Sequence, residues 1–271
     1  MKYSLKLICS LFNVTRQAYY KRQKVKIQRF LEEQVIIGAV RAIRKRQARV
    51  GGRKLYHMLH EKGFEIGRDK LFDILRKYKM LVKPKKNYKK TTNSFHRFRK
   101  YSNMIKELNI TKPNQVFVAD ITYLSTLEGF CYLVLITDVY SRKIVGWDLS
   151  QSLAIEGCQR ALKMALAGVP EPQKLTHHSD RGIQFCSHGY IDILNHHEIQ
   201  ISMTEENHVY ENAIAERVNG IFKDEFMLGE TLRSFQIAKE LVKQSIEIYN
   251  KERLHTSLNY QTPEYRYRHA A

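Results

Sequence analysis

The spacing of the apolar residues changes at Pro113, and that change requires two kinds of architecture in one chain. Before it, Val35, Ile36, Ala39, Val40 and Ile43 recur at the helical period. After it, Val116-Phe117-Val118-Ala119-Asp120-Ile121-Thr122-Tyr123-Leu124 and the runs 131–136 and 144–149 are β-branched and aromatic, separated by turns at Glu128-Gly129 and Tyr140-Ser141-Arg142. Three such runs predict an antiparallel meander. Helical spacing at 154–167 and 189–197, short strands at 174–177 and 199–203, and a long helix from about 210 complete an α/β unit, a mixed five-stranded sheet with helices on both sides.

The front of the chain predicts an all-α region. Leu5, Leu7, Ile8, Leu11 and Phe12 form a short helical stripe, and Thr15 is a good N-cap for a second helix, which together give a short helix-turn-helix over 1–32. A second helix-turn-helix domain is expected over 33–82. It starts near Glu33, is interrupted at Gly51-Gly52, stops a helix at Gly63 and ends in the segment from Asp69 to Leu75, the natural recognition helix. Residues 83–112 read as a basic linker, and 113–271 as the sheet-containing core with a helical C-terminal tail.

Charge sharpens this division. Residues 1–100 hold 29 Lys and Arg against 6 Asp and Glu, whereas 101–271 hold 17 against 21, within a total of +19. An excess of 23 positive charges on a helical region suits a polyanion, with DNA ahead of a membrane because no Trp- and Phe-rich apolar face accompanies it. The bland alternative is a small bundle with a solvated basic face, but the excess far exceeds what solubility requires. Arg16, Arg53, Lys54, Arg68, Lys70, Lys83, Lys85 and Lys86 are the candidate DNA contacts in this half.

The four cysteines are widely spaced with no C-x-x-C pair, so buried thiols are expected instead of a disulfide framework or zinc site. No apolar run approaches the length of about 18 residues needed to span a bilayer, and the start does not read as a signal peptide. The chain reads as cytosolic.

Three carboxylates stand out. Asp120 interrupts an apolar strand, where an ionised group needs compensation by a metal ion or by backbone or Arg hydrogen bonds. Asp180 follows a strand-like stretch and precedes Arg181-Gly182, a position suited to a site or to an Asx-turn. Glu216 lies on a helix whose buried stripe is expected to be Ile214, Val218 and Ile221, with Asn212, Glu216, Asn219 and Lys223 on the other face. A solvated charge is the ordinary reading for such a glutamate.

The stretches Asp120-Ile121-Thr122-Tyr123, His178-Ser179-Asp180-Arg181-Gly182 and Asn212-Ala213-Ile214-Ala215-Glu216, with 35 residues between Asp180 and Glu216, resemble the D,D-35-E signature of retroviral-integrase-type DDE transposases. More narrowly, the chain is similar to the second-frame (OrfB-type) product of two-frame bacterial insertion sequences. That similarity also takes in Gly51-Gly52-Arg53-Lys54-Leu55 and a tail from Tyr249 to Leu258 followed by Thr262-Pro263-Glu264. Two departures are visible. Phe117 stands where the family usually has Trp, and Glu211-Asn212-Ala213 stands where Asp-Asn-Ala is common.

The resemblance implies a ribonuclease-H-like core and two divalent ions, magnesium or manganese, held by Asp120, Asp180 and Glu216, with Asp120 bridging them. It implies cleavage of insertion-sequence ends followed by 3′-hydroxyl strand transfer into target DNA, in the bacterial cytosol at the nucleoid. Its partners would be the terminal inverted repeats, the target DNA, at least one further copy of the chain, and the first-frame product or a fused first-frame segment. Arg217 and Lys223 are added as phosphate contacts beside the carboxylates. Three rivals remain at this point. A DNA-binding regulator leaves the strand-rich half without a task, and a ribonuclease-H-type nuclease needs no basic front end. A zinc hydrolase on His177, His178 and Asp180 conflicts with adjacent strand residues facing opposite ways.

Overall fold

The computed structural model describes residues 4–83, 98–106, 108–205 and 212–270. Lys85, Lys86, Glu211 and half of the expected 83–112 linker lie outside the described residues. The chain divides into two compact units, Met1–Arg46 with Val50–Val82, and Gln47–Arg49 with Lys83–Ala271.

The first unit is helical: α1 (Leu5–Leu11), α2 (Arg16–Arg46), α3 (Gly52–Glu61) and α4 (Arg68–Lys77). The Thr15 hydroxyl accepts the Ala18 amide at 3.1 Å, the capping expected of it. One correction concerns the boundary expected between residues 32 and 33, because α2 crosses it as one continuous helix of 31 residues. Arg16 to Ile37 contains neither Gly nor Pro and is rich in Lys, Arg, Gln and Glu, so nothing local ends the helix there. What begins near Glu33 is burial: Ile37, Val40 and Ile43 are the buried residues of α2, and they pack with Leu55, Leu59, Leu71, Ile74 and Leu75.

Glycine is required at two points in this unit. Gly63 has φ +81° and closes α3, the Phe64 amide reaching back to the Leu59 carbonyl at 3.0 Å. A Cβ on Gly52 would lie 2.8 Å from the Phe72 ring, so α3 can approach α4 only without one.

The second unit is built on a five-stranded mixed sheet of order β3-β2-β1-β4-β5, from β1 (Val116–Thr126), β2 (Gly129–Asp138), β3 (Ile144–Ser150), β4 (Thr176–Ser179) and β5 (Gln200–Met203). The pairings β1–β2 and β2–β3 are antiparallel, while β1–β4 and β4–β5 are parallel. The helices are α5 (Ile155–Leu166), α6 (Ile183–Cys186), α7 (His188–His196), α8 (Ala213–Asp224), α9 (Phe235–Lys251) and α10 (Pro263–Arg268). Alternation along the strands sends Phe117, Ala119, Val134 and Ile136 to one face, against Ala161, Leu162 and Tyr190. Leu124, Leu133 and Leu135 pack on the other, against Val218, Phe222, Val242 and Tyr249.

β4 begins two residues later than the sequence suggests. Pro172–Lys174 forms a 3-10 turn, and the strand is the wholly buried polar run Thr176-His177-His178-Ser179. Its polar groups find partners on neighbouring elements: Tyr190 for His177 at 2.9 Å, Ser202 for His178 at 2.8 Å, and Gln200 for Thr176 at 3.0 Å. The buried stripe of α8 also differs from expectation. Ala215, Asn219 and Phe222 join Val218 and Ile221, while Ile214 is only half-buried.

All four cysteines are free and buried. Among the described residues no helix is long and apolar enough to cross a membrane.

Candidate active site

The parallel register of β1 and β4 pairs Ala119 with Ser179, so Asp120 and Asp180 follow at the same level on adjacent strands. Period-two alternation places Asp120 on the same face of β1 as Val116 and Val118, which pack on Ala215 of α8. Asp180 is the first residue after β4. Its Oδ1 accepts the Gly182 amide at 2.9 Å, the Asx-turn weighed from the sequence. A Cβ on Gly182 would sit 2.9 Å from that oxygen, so a larger residue there would push the Asp180 carboxylate aside.

Two asparagines tie α8 to β1. Asn212 donates to the Ala119 carbonyl at 3.2 Å, and Asn219 donates through Nδ2 to Asp120 Oδ2 at 2.8 Å. The other oxygen, Oδ1, accepts the Ile121 amide at 2.9 Å. Glu216 is in the first turn of α8, exposed, where the helix dipole favours an anion. Asn219 and Lys223 follow it by three and seven residues, hence on its face. Sequence reading placed Asn219 on that face without assigning it a task; the i, i+3 spacing from Glu216 was the available signal.

Electrostatics single out Asp120. Burial first, then the negative charge of Asp180, raises its carboxyl from 3.8 to about 7, against the lowering effect of the Ile121 and Asn219 hydrogen bonds, and Glu216 adds to the rise. The residue as a whole is half-buried, so its carboxyl is packed around yet lies at an opening. Lys223 is held below its usual value by burial, opposed by the attraction of Asp120. In metal-free protein the folded chain therefore binds more protons than the unfolded chain between the two Asp120 values. Stability contributed by the protonated form is present at low pH and is lost as pH rises through about 7. Stability in EDTA, followed by thermal melting, should fall by on the order of 2 kcal/mol between about pH 5 and about pH 8, and Asp120→Asn should flatten the curve. Parallel wild-type and Asn curves would contradict this.

Among the described residues no three acidic, His or Cys side chains converge closely enough to hold an ion as they stand. The donor chemistry nevertheless fits magnesium or manganese. Three carboxylates supply hard oxygen ligands, and the like-charge crowding at Asp120 is what a divalent cation relieves. The zinc alternative fails on geometry. His177 is buried against Tyr190, on the face opposite His178, and burial lowers its imidazole to about 3.

Of the expected DNA contacts, Arg16, Arg53, Arg68, Lys70, Lys83 and Arg217 are exposed, while Lys54 and Lys223 are half-buried. Arg68 pairs with Asp69 at 2.9 Å and Lys70 with Glu32 at 3.6 Å, both at the surface. The other buried carboxylate, Asp138, serves the β2–β3 turn. It accepts the amides of Asn114 and Ser141 and the Ser141 hydroxyl.

The chain is similar to several known proteins. Two integrase core domain families match, one over residues 110–208 and the other over 197–263. The insertion element IS600 uncharacterized 31 kDa protein of Shigella sonnei is 33% identical over 94% of this chain and 96% of its own length. Transposase InsF for insertion sequence IS3A of Escherichia coli is 28% identical over 97% of this chain and 93% of its own. Among solved structures, a chain of the simian T-cell lymphotropic virus intasome, determined by electron cryomicroscopy, gives a TM-score of 0.51 at 16% identity. It covers 82% of this chain and 72% of that one, and shows the shared fold. The sheet and its flanking helices are thus the ribonuclease-H-like core of the integrases. The chain belongs to the DDE transposases of the integrase superfamily, and it is an enzyme of nucleotidyl transfer.

Proposed function

We propose that Asp120, Asp180 and Glu216 form a D,D-35-E triad holding two divalent ions, magnesium or manganese, and that the enzyme uses it to cut DNA at the ends of its mobile element and join the freed 3′-hydroxyl to a second DNA. The observation that carries the reading is the level placement of Asp120 and Asp180 on adjacent parallel strands, with the helix bearing Glu216 pinned to Asp120 by Asn219. When bound, the ions supply activation of the attacking oxygen and stabilisation of the leaving oxygen.

The chain's own groups set the geometry. Asp120 is held by its two hydrogen bonds, so its carboxylate would need little reorganisation to act as a metal ligand. Asp180 and Glu216 complete the donor set, and Lys223 and Arg217 lie on the same helix to take a DNA phosphate. In the first step a water oxygen bonds to phosphorus, and the bond from phosphorus to the 3′ oxygen breaks. The departing oxygen takes a proton and becomes the 3′-hydroxyl. In the second step that hydroxyl oxygen attacks a target phosphorus, and the target's own 3′ oxygen leaves. The basic residues of 1–100 hold the DNA while this occurs, in the cytosol where the DNA is.

A labelled element end incubated with unlabelled target DNA tests the reading: joined product is expected, whereas cutting without joining would reduce the protein to a nuclease. Joining two ends requires both 3′-termini to be held near their targets, so at least two copies of the chain should sit on paired ends. Light scattering of the protein bound to end-sequence DNA checks this. An active complex with one chain and both ends would contradict it.

A further inference from the structure

β1 is long and β4 is short. β4 pairs with β1 only over Val116–Ala119, and the next bridge on that edge joins Thr126 to Leu232. Between them, from Asp120 to Ser125, no described strand covers the edge. On this extension two aromatic rings face solvent: Tyr123, 39% exposed, and Phe130, 61% exposed. The register pairs Tyr123 with Tyr132 and Ser125 with Phe130, which puts the two rings on one face. Their centroids are 5.6 Å apart in an edge-to-face arrangement. That face is opposite Asp120, yet Lys223, from the helix packed on the Asp120 side, has its ammonium 4.5 Å from the centre of the Tyr123 ring. Lys223 thus bridges the open edge, linking the carboxylates to the aromatic pair.

A single exposed apolar residue is ordinary. Two aromatic rings in mutual contact, capped by a lysine and three residues along the strand from a catalytic carboxylate, form a surface with a specific chemistry. We propose that Tyr123 and Phe130 are a stacking platform for an unpaired DNA base, the adjoining phosphate being taken by Lys223; the inference rests on the reading of Asp120 as part of the cutting site. Three residues of strand span about 10 Å, so a base on Tyr123 belongs to a nucleotide close to the reacting phosphate. Every base offers a π face, so the platform tolerates any sequence and selects for unpaired nucleotides. An open duplex end is what it favours over a closed one.

The test uses the full chain in EDTA, where no cutting occurs, with two probes: a blunt duplex, and the same duplex with a short unpaired tail containing 5-iodouracil. Wild type should bind the tailed probe about tenfold more tightly than the blunt one. Tyr123→Ala and Phe130→Ala should each erase most of that ratio at unchanged melting temperature, and Tyr123→Phe should restore it. Ultraviolet cross-links from the tail should map to Tyr123 or Phe130. An unchanged ratio in both alanine variants, or cross-links confined to other segments, overturns the platform. So does a change in the number of chains per complex without a change in ratio, which would make the patch a contact between copies. Binding in EDTA does not depend on the carboxylate chemistry, so the tail preference is read whether or not Asp120 is a metal ligand. Failure of the platform is thereby separated from failure of the cutting site.

Discussion

Asp120→Asn is expected to lower strand cleavage by at least about a thousandfold, some 4 kcal/mol of barrier, while leaving the fold and DNA affinity in place. Asn has nearly the shape of Asp and can still accept the Ile121 amide; its own amide group then faces Asn219, which keeps the contact by turning its oxygen toward it. What the variant lacks is the negative charge that a bridging ligand supplies. Asp180→Asn and Glu216→Gln should have effects of similar size for the same reason. Nicking and melting temperature must be measured together. Loss of cleavage with a cooperative melt retained, shifted at position 120 only by the altered pH dependence, supports a ligand role, and near wild-type cleavage in magnesium by any of the three removes that residue from the triad.

The second large effect is on DNA binding. Residues 1–100 carry the positive excess, whereas residues 101–271 are slightly acidic. If six to ten of those cations meet phosphates, affinity should drop by about a thousandfold or more between roughly 50 and 200 mM salt, through counterion release. A fragment of 101–271 should bind element ends far more weakly and with a much flatter salt dependence. Equal affinity of fragment and full chain would place the DNA contacts in the core and overturn the division of labour.

Several features were legible in the sequence because they are local. The meander β1–β2–β3 follows from alternation and turn residues, and the caps at Thr15 and Gly63 follow from the chemistry of their side chains and backbone. Others were not, for physical reasons. The apolar stripe beginning near Glu33 marks where α2 becomes buried, and a helix can run well beyond its buried stretch when its residues favour helix. The bounds of β4 shift by two residues because its four residues are polar, and the partners of Thr176, His177 and His178, namely Gln200, Tyr190 and Ser202, are distant in sequence. The juxtaposition of Asp120 and Asp180 depends on a parallel register across the crossover from β3, which no local pattern encodes. Here the motif resemblance supplied what periodicity does not. Asn219 was expected on the face away from the buried stripe; it is buried within that stripe instead, where the packing of α8 on β1 brings it to Asp120.

The central claim is that the three carboxylates cut DNA through divalent metal. Its most direct test is supercoiled DNA carrying the parent element's terminal inverted repeats, incubated with the full chain in magnesium and in EDTA. Nicks at the repeat ends, exposing 3′-hydroxyls, are expected in magnesium and none in EDTA. Cleavage that persists unchanged in EDTA would contradict it.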